Sequence, residues 1–342
     1  MNQLTISNIQ SAYLDSDAPW FLGFSGGKDS SCLLALTYNA LSGLRNFHKF
    51  VTVIYVETGV DIPIIARHTS AVLRAVKRQA TRDGLPIDIA IARPPVADRY
   101  FVKVIGRGYV TPTNKFRWCT DRLRIDPIKR LLAKKAIGKY TVLLGTRLGE
   151  SAERDRTLIR HRTDVRYHFR QQSNPNATIY SPIVDYSVNE VWSTLINNRQ
   201  LQCLKAKDLK NIYQSASGEC PTIRDPKGTP CGKGRFGCWT CTVVRQDKAV
   251  SGLIASGYRE LQPLLTFRNW LSEIRDNAKY RCKRRRNGCK GLGPFTLSAR
   301  KMILRRLLQT QNSVPWRLIS AAEISAIRKL WEDDIHSDDY KE

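Results

Sequence analysis

The chain has 342 residues, 42% of them hydrophobic, enough for two domains or for one large domain with an appended module. Its formal net charge of +26 implies a polyanionic partner, nucleic acid being the usual one. No apolar run reaches the roughly 20 residues of a membrane-spanning helix, and Met1–Gln10 lacks the basic start and apolar stretch of a signal peptide. A cytoplasmic protein with no membrane partner is expected.

The first half alternates in a βα manner. A strand is predicted over Trp20–Phe24 and a helix over Ser30–Leu44, with Ser25-Gly26-Gly27-Lys28-Asp29-Ser30 between them. A second strand, Val51–Val56, leads into Glu57-Thr58-Gly59 and a helix over Ile64–Arg82. Ile87–Ala92 is a third strand and Tyr140–Gly145 a fourth, with a helix over Pro127–Ile137 between them. Another helix is predicted over Tyr186–Asn198. Apolar strands separated by helices predict an α/β fold, a doubly wound parallel sheet covered on both faces. Ligands of such sheets sit at the carboxyl ends of the strands, near a switch point.

After Leu201 the composition changes. Ser215–Cys241 is rich in Gly, Pro and Cys and reads as a loop region organised by metal. Helical, strongly basic patterns return over Leu253–Trp331, and Arg281–Thr310 holds ten Lys or Arg and no acidic residue. Glu332–Glu342 carries six acidic residues and reads as a disordered tail. The expected division is 1–200 for the sheet domain, 201–331 for the cysteine-containing basic helical region and 332–342 for the tail.

The Ser25–Ser30 stretch has the chemistry of a phosphate cradle. Adjacent glycines let the backbone approach a ligand closely, and amides at a helix start face an anion. Ser25 and Ser30 add hydroxyls and Lys28 a point charge. Asp29 would repel phosphate unless a cation such as Mg²⁺ stands between them. The glycine spacing is not that of a Walker A loop. Glu57, Thr58 and Gly59 end the neighbouring strand, where they would meet the ribose or adenine. In Leu144–Ser151, Arg147 is the candidate to reach a phosphate, with Glu150 orienting it or sharing Mg²⁺.

There are nine cysteines, an odd number, and reduced thiols rather than a disulfide framework are expected. Cys238 and Cys241 form a Cys-x-x-Cys pair, with Cys231 close by. Four ligands need one more, for which Cys119 is the candidate and Cys220 the reserve. Spacing alone leaves iron–sulfur cluster, zinc and redox dithiol open. Cys282 and Cys289 lie among arginines and lysines, which favour thiolate. Cys32 and Cys203 have apolar contexts and read as core. Phe267, Trp270, Tyr280, Phe295 and Trp316 either stack on bases or belong to the core.

Ser25–Ser30 resembles the SGGxDS signature of the PP-loop ATP pyrophosphatases, a superfamily that includes the phosphoadenylyl-sulfate reductases. With Phe116–Arg122 (FRWCTDR), Arg235–Cys241 (RFGCWTC) and Gly293–Arg300 (GPFTLSAR), the chain resembles the DndC-type, or related SspD-type, sulfurtransferases of DNA phosphorothioation. The resemblance spans about residues 20–310. It implies an adenine nucleotide alpha hydrolase-like fold and cleavage of ATP to AMP and pyrophosphate. It further implies a 4Fe-4S cluster on Cys119, Cys231, Cys238 and Cys241, with Lys28, Asp29, Arg147 and Glu150 at the reaction centre. The implied partners are DNA, a cysteine desulfurase as sulfur donor and other proteins of the phosphorothioation system. Two rival enzymes share the loop. One group of tRNA thiolases carries two Cys-x-x-Cys pairs, whereas one is present here. A sulfonucleotide reductase needs a cysteine in its C-terminal tail, and Glu332–Glu342 has none.

Overall fold

The apolar runs of the first half form strands that join in one sheet. The computed structural model describes residues 2–149, 152–171, 174–217 and 236–336. In chain order the sheet half contains α1 (Asn2–Leu14), β1 (Trp20–Phe24), α2 (Lys28–Ser42), β2 (Val51–Val56), α3 (Pro63–Arg82) and β3 (Ile87–Ala92). A short α4 (Trp118–Thr120) runs through one π-helical turn into α5 (Asp126–Lys135), followed by β4 (Tyr140–Leu143), α6 (Ala152–Arg160), β5 (His168–Arg170), β6 (Ala177–Tyr180) and α7 (Val188–Ile196). The remaining α-helices of the described residues are α8 (Ala206–Ser217), α9 (Lys248–Ala255), α10 (Gln262–Arg275), α11 (Leu297–Asn312) and α12 (Ala321–His336).

The strand order is β3-β2-β1-β4-β6-β5. The first five run parallel, and β5 lies antiparallel at the edge. The chain moves outward from β1 to β3 and then crosses back to β4 on the other side of β1. The switch point, where such sheets bind ligands, therefore lies between the carboxyl ends of β1 and β4. Successive side chains of a strand face opposite ways. Trp20, Leu22, Val51 and Val53 pack into one core with α2, α3 and α7, while Phe21, Ile54, Ala90 and Tyr140 pack on the other face with Leu132 of α5. α2 is buried nearly all round because it lies between the sheet and α1.

Several elements differ from the sequence reading. α1 is a helix whose buried side chains are only Thr5, Ile9 and Tyr13, a stripe too narrow to stand out in the pattern. β5 and β6 are three and four residues long and pair at the sheet margin, without the long apolar run of a central strand. The acidic stretch read as a disordered tail is helical as far as His336. Asp334 there lies 2.6 Å from Nη1 of the fully buried Arg300, so a tertiary charge pair explains order that local composition did not suggest.

A further core belongs to the helical half. It is built from α9–α12 together with Val60–Ile65, Tyr100–Ile105 and Trp118–Leu123. The loops after β2 and β3 thus reach out of the sheet half and become part of the helical core. No helix among the described residues is long and apolar enough to cross a membrane.

Candidate nucleotide and cysteine site

The Ser25–Ser30 segment turns at the carboxyl end of β1. Gly26 has φ +75°, and a Cβ on it would stand 2.3 Å from Thr69 Oγ1, so both conformation and space demand glycine. Gly27 caps α2 without a side-chain hydrogen bond. The two serine hydroxyls brace the turn from within. Ser25 Oγ lies 3.1 Å from Ser30 Oγ, and Ser30 Oγ donates to the Gly27 carbonyl at 3.0 Å. The Lys28 amide donates to the Tyr213 hydroxyl of α8 at 3.2 Å.

Asp29 sits between two cations. Its Oδ2 is 2.8 Å from Lys28 Nζ and its Oδ1 is 2.6 Å from Arg147 Nε. Arg147 comes from the loop after β4, is 5% exposed and also donates through Nη1 to the Tyr186 carbonyl at 2.9 Å. The guanidinium assigned to a phosphate from sequence is here engaged by Asp29 and the backbone, so it braces the loop from beneath. Close approach at the switch point depends on Gly145, where a Cβ would lie 2.8 Å from the Asp29 carbonyl carbon. Two cations against one carboxylate leave a net positive charge at the start of α2, the polarity a phosphate seeks.

The other expected nucleotide residues divide. Glu57 is half-buried, and its Oε2 accepts from both Nε and Nη2 of Arg93, at 3.0 and 2.7 Å. Thr58 is buried; its amide donates to Asp61 at 2.9 Å, and its hydroxyl faces Cys238 rather than the phosphate loop. Gly59 has φ +80° with open space where a Cβ would stand. Glu150 lies outside the described residues. Tyr213, Thr69 and Tyr186, which hold or abut the loop, were not singled out from sequence, because nothing local marks a tyrosine 185 residues away as a partner of Lys28.

The cysteine loop lies against the loop after β2. Asp61 and Cys238 form an isolated antiparallel bridge, and the Trp239 amide donates to the Val60 carbonyl at 3.0 Å. Cys238 Sγ is 3.8 Å from Thr58 Oγ1 and 3.9 Å from Arg124 Nη2. Burial pushes its thiol up to about 11, against the pull of Arg124. A bond from the Cys241 amide to the Cys238 carbonyl closes the turn of the Cys-x-x-Cys pair at 3.0 Å. Cys119 arrives on α4, and burial followed by the neighbouring Cys241 pushes its thiol up. The Tyr100 hydroxyl donates to the Thr240 carbonyl beside Cys241 at 3.4 Å, and burial first, then Cys119, Cys241 and Cys238, raise its pKa.

Cys119 on α4 and the Cys238–Cys241 pair bring three soft donors from two distant segments, the residue type that a thiolate-bound metal or cluster uses. No three His, Cys, Asp or Glu side chains among the described residues stand at metal-holding distance from one another. Cys231 and Cys220 lie outside the described residues. Arg268, 1% exposed, ties the loop down by donating to the carbonyls of Cys241, Val244 and Arg245. Cys32 is fully buried and Cys203 packs against the sheet core, as expected of core residues.

The aromatic residues of the basic region are core rather than stacking platforms. Phe267 and Phe295 are fully buried, and Trp270, Tyr280 and Trp316 pack against the same cluster. The cations between them split. Arg300 is buried, whereas Lys283, Arg284, Arg285, Arg286 and Lys290 are exposed on one hairpin-like loop.

A mostly parallel sheet with a glycine-rich loop at its switch point defines an α/β domain of the doubly wound type. The family model for the phosphoadenosine phosphosulfate reductase domain matches residues 19–244, and the chain belongs to that family. An uncharacterized protein of Methanocaldococcus jannaschii is 25% identical over 194 residues, 57% of this chain and 35% of the relative. The chain therefore spans about a third of the length of that curated relative. Among solved structures, a phosphoadenylyl-sulfate reductase from Candida auris in a phosphate complex is 10% identical, with TM-score 0.36, covering 56% of this chain and 79% of its own. The U34-tRNA thiolase NcsA from Methanococcus maripaludis with its 4Fe-4S cluster is 14% identical, with TM-score 0.36, covering 98% of this chain and 80% of its own.

Proposed function

We propose that the protein is an ATP-pyrophosphatase-type sulfurtransferase that activates a DNA backbone phosphate, so that sulfur replaces a non-bridging oxygen. The observation that carries this reading is the shared edge of the two candidate sites. The phosphate loop follows β1, and the loop after the adjacent β2 puts Thr58 Oγ1 3.8 Å from Cys238 Sγ. Both loops leave the carboxyl edge of the sheet, so a nucleotide on the first would lie on the same edge as the thiols. The +26 charge supports a polyanionic acceptor.

In this mechanism the pyrophosphate part of ATP lies on Ser25, Gly26, Gly27, Lys28 and Ser30. Lys28 turns from Asp29 Oδ2 to the phosphates, which frees that oxygen for Mg²⁺. A non-bridging DNA oxygen attacks the α-phosphorus, and the bond to pyrophosphate breaks. Sulfide, released from a desulfurase-derived persulfide by a dithiol reductant that is oxidised to its disulfide, then attacks the DNA phosphorus. The bond to the adenylated oxygen breaks, and AMP carries that oxygen away. Arg147 keeps Asp29 and the start of α2 in register during charge development. Glu57 and Gly59 border the nucleotide. A 4Fe-4S cluster on Cys119, Cys231, Cys238 and Cys241 would supply an iron site for handling sulfur.

The test is pyrophosphate release from ATP by wild-type, Lys28→Ala and Asp29→Ala proteins. The expected loss is at least tenfold in each variant; undiminished release in both sinks the assignment of the loop. Mass spectrometry of DNA and of tRNA from cells with and without the protein then identifies the acceptor.

A further inference from the structure

Two exposed elements flank the cysteine site and are tied to it by side chains. The first is the turn Thr113–Phe116, closed by reciprocal backbone bonds of 3.2 Å and by the Phe116 amide on Thr113 Oγ1 at 3.1 Å. It displays Lys115, Phe116 and Arg117 just before Trp118 and Cys119. Phe116 is 46% exposed, unlike the buried aromatics of the basic helices, and Arg117 is steadied by Asn114 at 3.1 Å.

The second element is the loop from Arg281 to Phe295. Its two arms pair at Arg281–Phe295 and at Arg284–Lys290. Gly288 and Gly291 supply positive φ at its bend, and a Cβ on Gly293 would collide with the Arg284 carbonyl. The loop is therefore built to hold its shape. Lys283, Arg284, Arg285 and Lys290 are exposed on it, with no acidic residue between Arg281 and Thr310.

The elements are joined twice. The Arg286 guanidinium lies 4.5 Å over the Tyr109 ring, which meets Trp118 edge-on at 5.4 Å. Arg281 donates to the Arg275 carbonyl, and Arg275 Nη1 donates to the carbonyls of Pro112 and Thr242. Both connections end beside Cys119 or Cys241.

We propose that these elements form the grip for an unpaired nucleic-acid strand. Phe116 stacks on one base, while Lys115, Arg117 and the Arg284, Arg285 and Lys290 side chains hold phosphates, drawing the backbone toward Cys119 and Cys241. Paired bases are already stacked on their neighbours, so an aromatic face beside cations favours an unpaired strand. The proposal rests on the nucleic-acid acceptor of the proposed function, but binding needs neither ATP nor metal. Its failure is thus distinguishable from failure of the pyrophosphatase reading.

The experiment is fluorescence anisotropy with the full chain, without ATP, using labelled oligodeoxythymidine and a duplex of equal length over a series of salt concentrations. The strand is expected to bind more tightly than the duplex. Phe116→Ala should weaken strand binding about tenfold with the salt slope unchanged, and Phe116→Trp should restore it. Replacing Arg284, Arg285 and Lys290 with Ala should lower the salt slope by about 2. Lys77→Ala, on α3 and paired with Asp88, is the charge control. Losses no larger than the control's, or duplex binding as tight as strand binding, overturn the proposal. Should a variant not fold, crosslinking wild-type protein to a thiothymidine strand decides: attachment at Lys115–Arg117 supports the grip, and attachment only elsewhere overturns it.

Discussion

Arg147 and Asp29, 118 positions apart in sequence, are joined by an Nε–Oδ1 contact of 2.6 Å beneath the phosphate loop. This pair crosses the switch point, tying the loop after β4 to the first turn of α2. It is shielded, with side chains 6% and 18% exposed, and removing one partner of such a pair leaves a poorly solvated charge. Arg147→Ala should lower unfolding free energy by about 3 kcal/mol in urea titration. Arg147→Lys should recover less than half of this, because a single ammonium cannot serve both Asp29 and the Tyr186 carbonyl. Asp29→Asn combined with Arg147→Ala should cost less than the sum of the single changes.

Glycine at two positions is a geometric demand rather than a loop preference. Gly26→Ala combines left-handed backbone strain with a clash on Thr69, and should cost about 1–3 kcal/mol in stability and most of the ATP affinity. Adding Thr69→Ala removes the clash but not the strain, so calorimetric ATP binding should return only in part. Gly145→Ala meets backbone, which cannot rotate away, and should be worse for ATP than for overall stability.

The Arg300–Asp334 pair explains the order of α12. Arg300 is fully buried and donates through Nη1 to the Gly106 carbonyl and to Asp334. Asp334→Ala should lower the thermal midpoint by several degrees and raise amide exchange in α12. A wild-type midpoint and wild-type exchange would return the acidic stretch to the status of a solvated tail.

Thiol reactivity should sort the cysteines by environment. Cys289 is exposed among cations and should react with iodoacetamide first. Burial holds Cys32 near 12, against an ordinary 9, so it should stay unmodified at neutral pH. Above pH 9 the unfolded thiol loses its proton while the folded one keeps it, so this group lowers stability as pH rises from about 9 to about 12. Cys32→Ala should remove that part of the alkaline fall in chemical unfolding.

β1, β2 and β3 lie where the apolar runs predict them, and the fourth ends only at Leu143 rather than Gly145. β1 and β2 are buried on both faces, so their apolar runs and the glycine punctuation are local signals. The alternation of strand and helix implied a doubly wound sheet with a switch point, but the strand order came only from the tertiary structure. β5 and β6 are legible only through their neighbours, because a short edge strand gains its order from pairing rather than from its own burial.

The sequence by itself determined the chemistry available: a glycine turn with Lys28 and Asp29 after a strand, a Cys-x-x-Cys pair, and a strong positive charge. Tertiary structure alone decided how those groups are used. It turned Arg147 inward onto Asp29, aimed Thr58 at Cys238, buried most aromatics of the basic helices and left Phe116 outside. These outcomes depend on contacts between segments a hundred or more residues apart. There burial and charge pairing outweigh the preferences of any single stretch of chain.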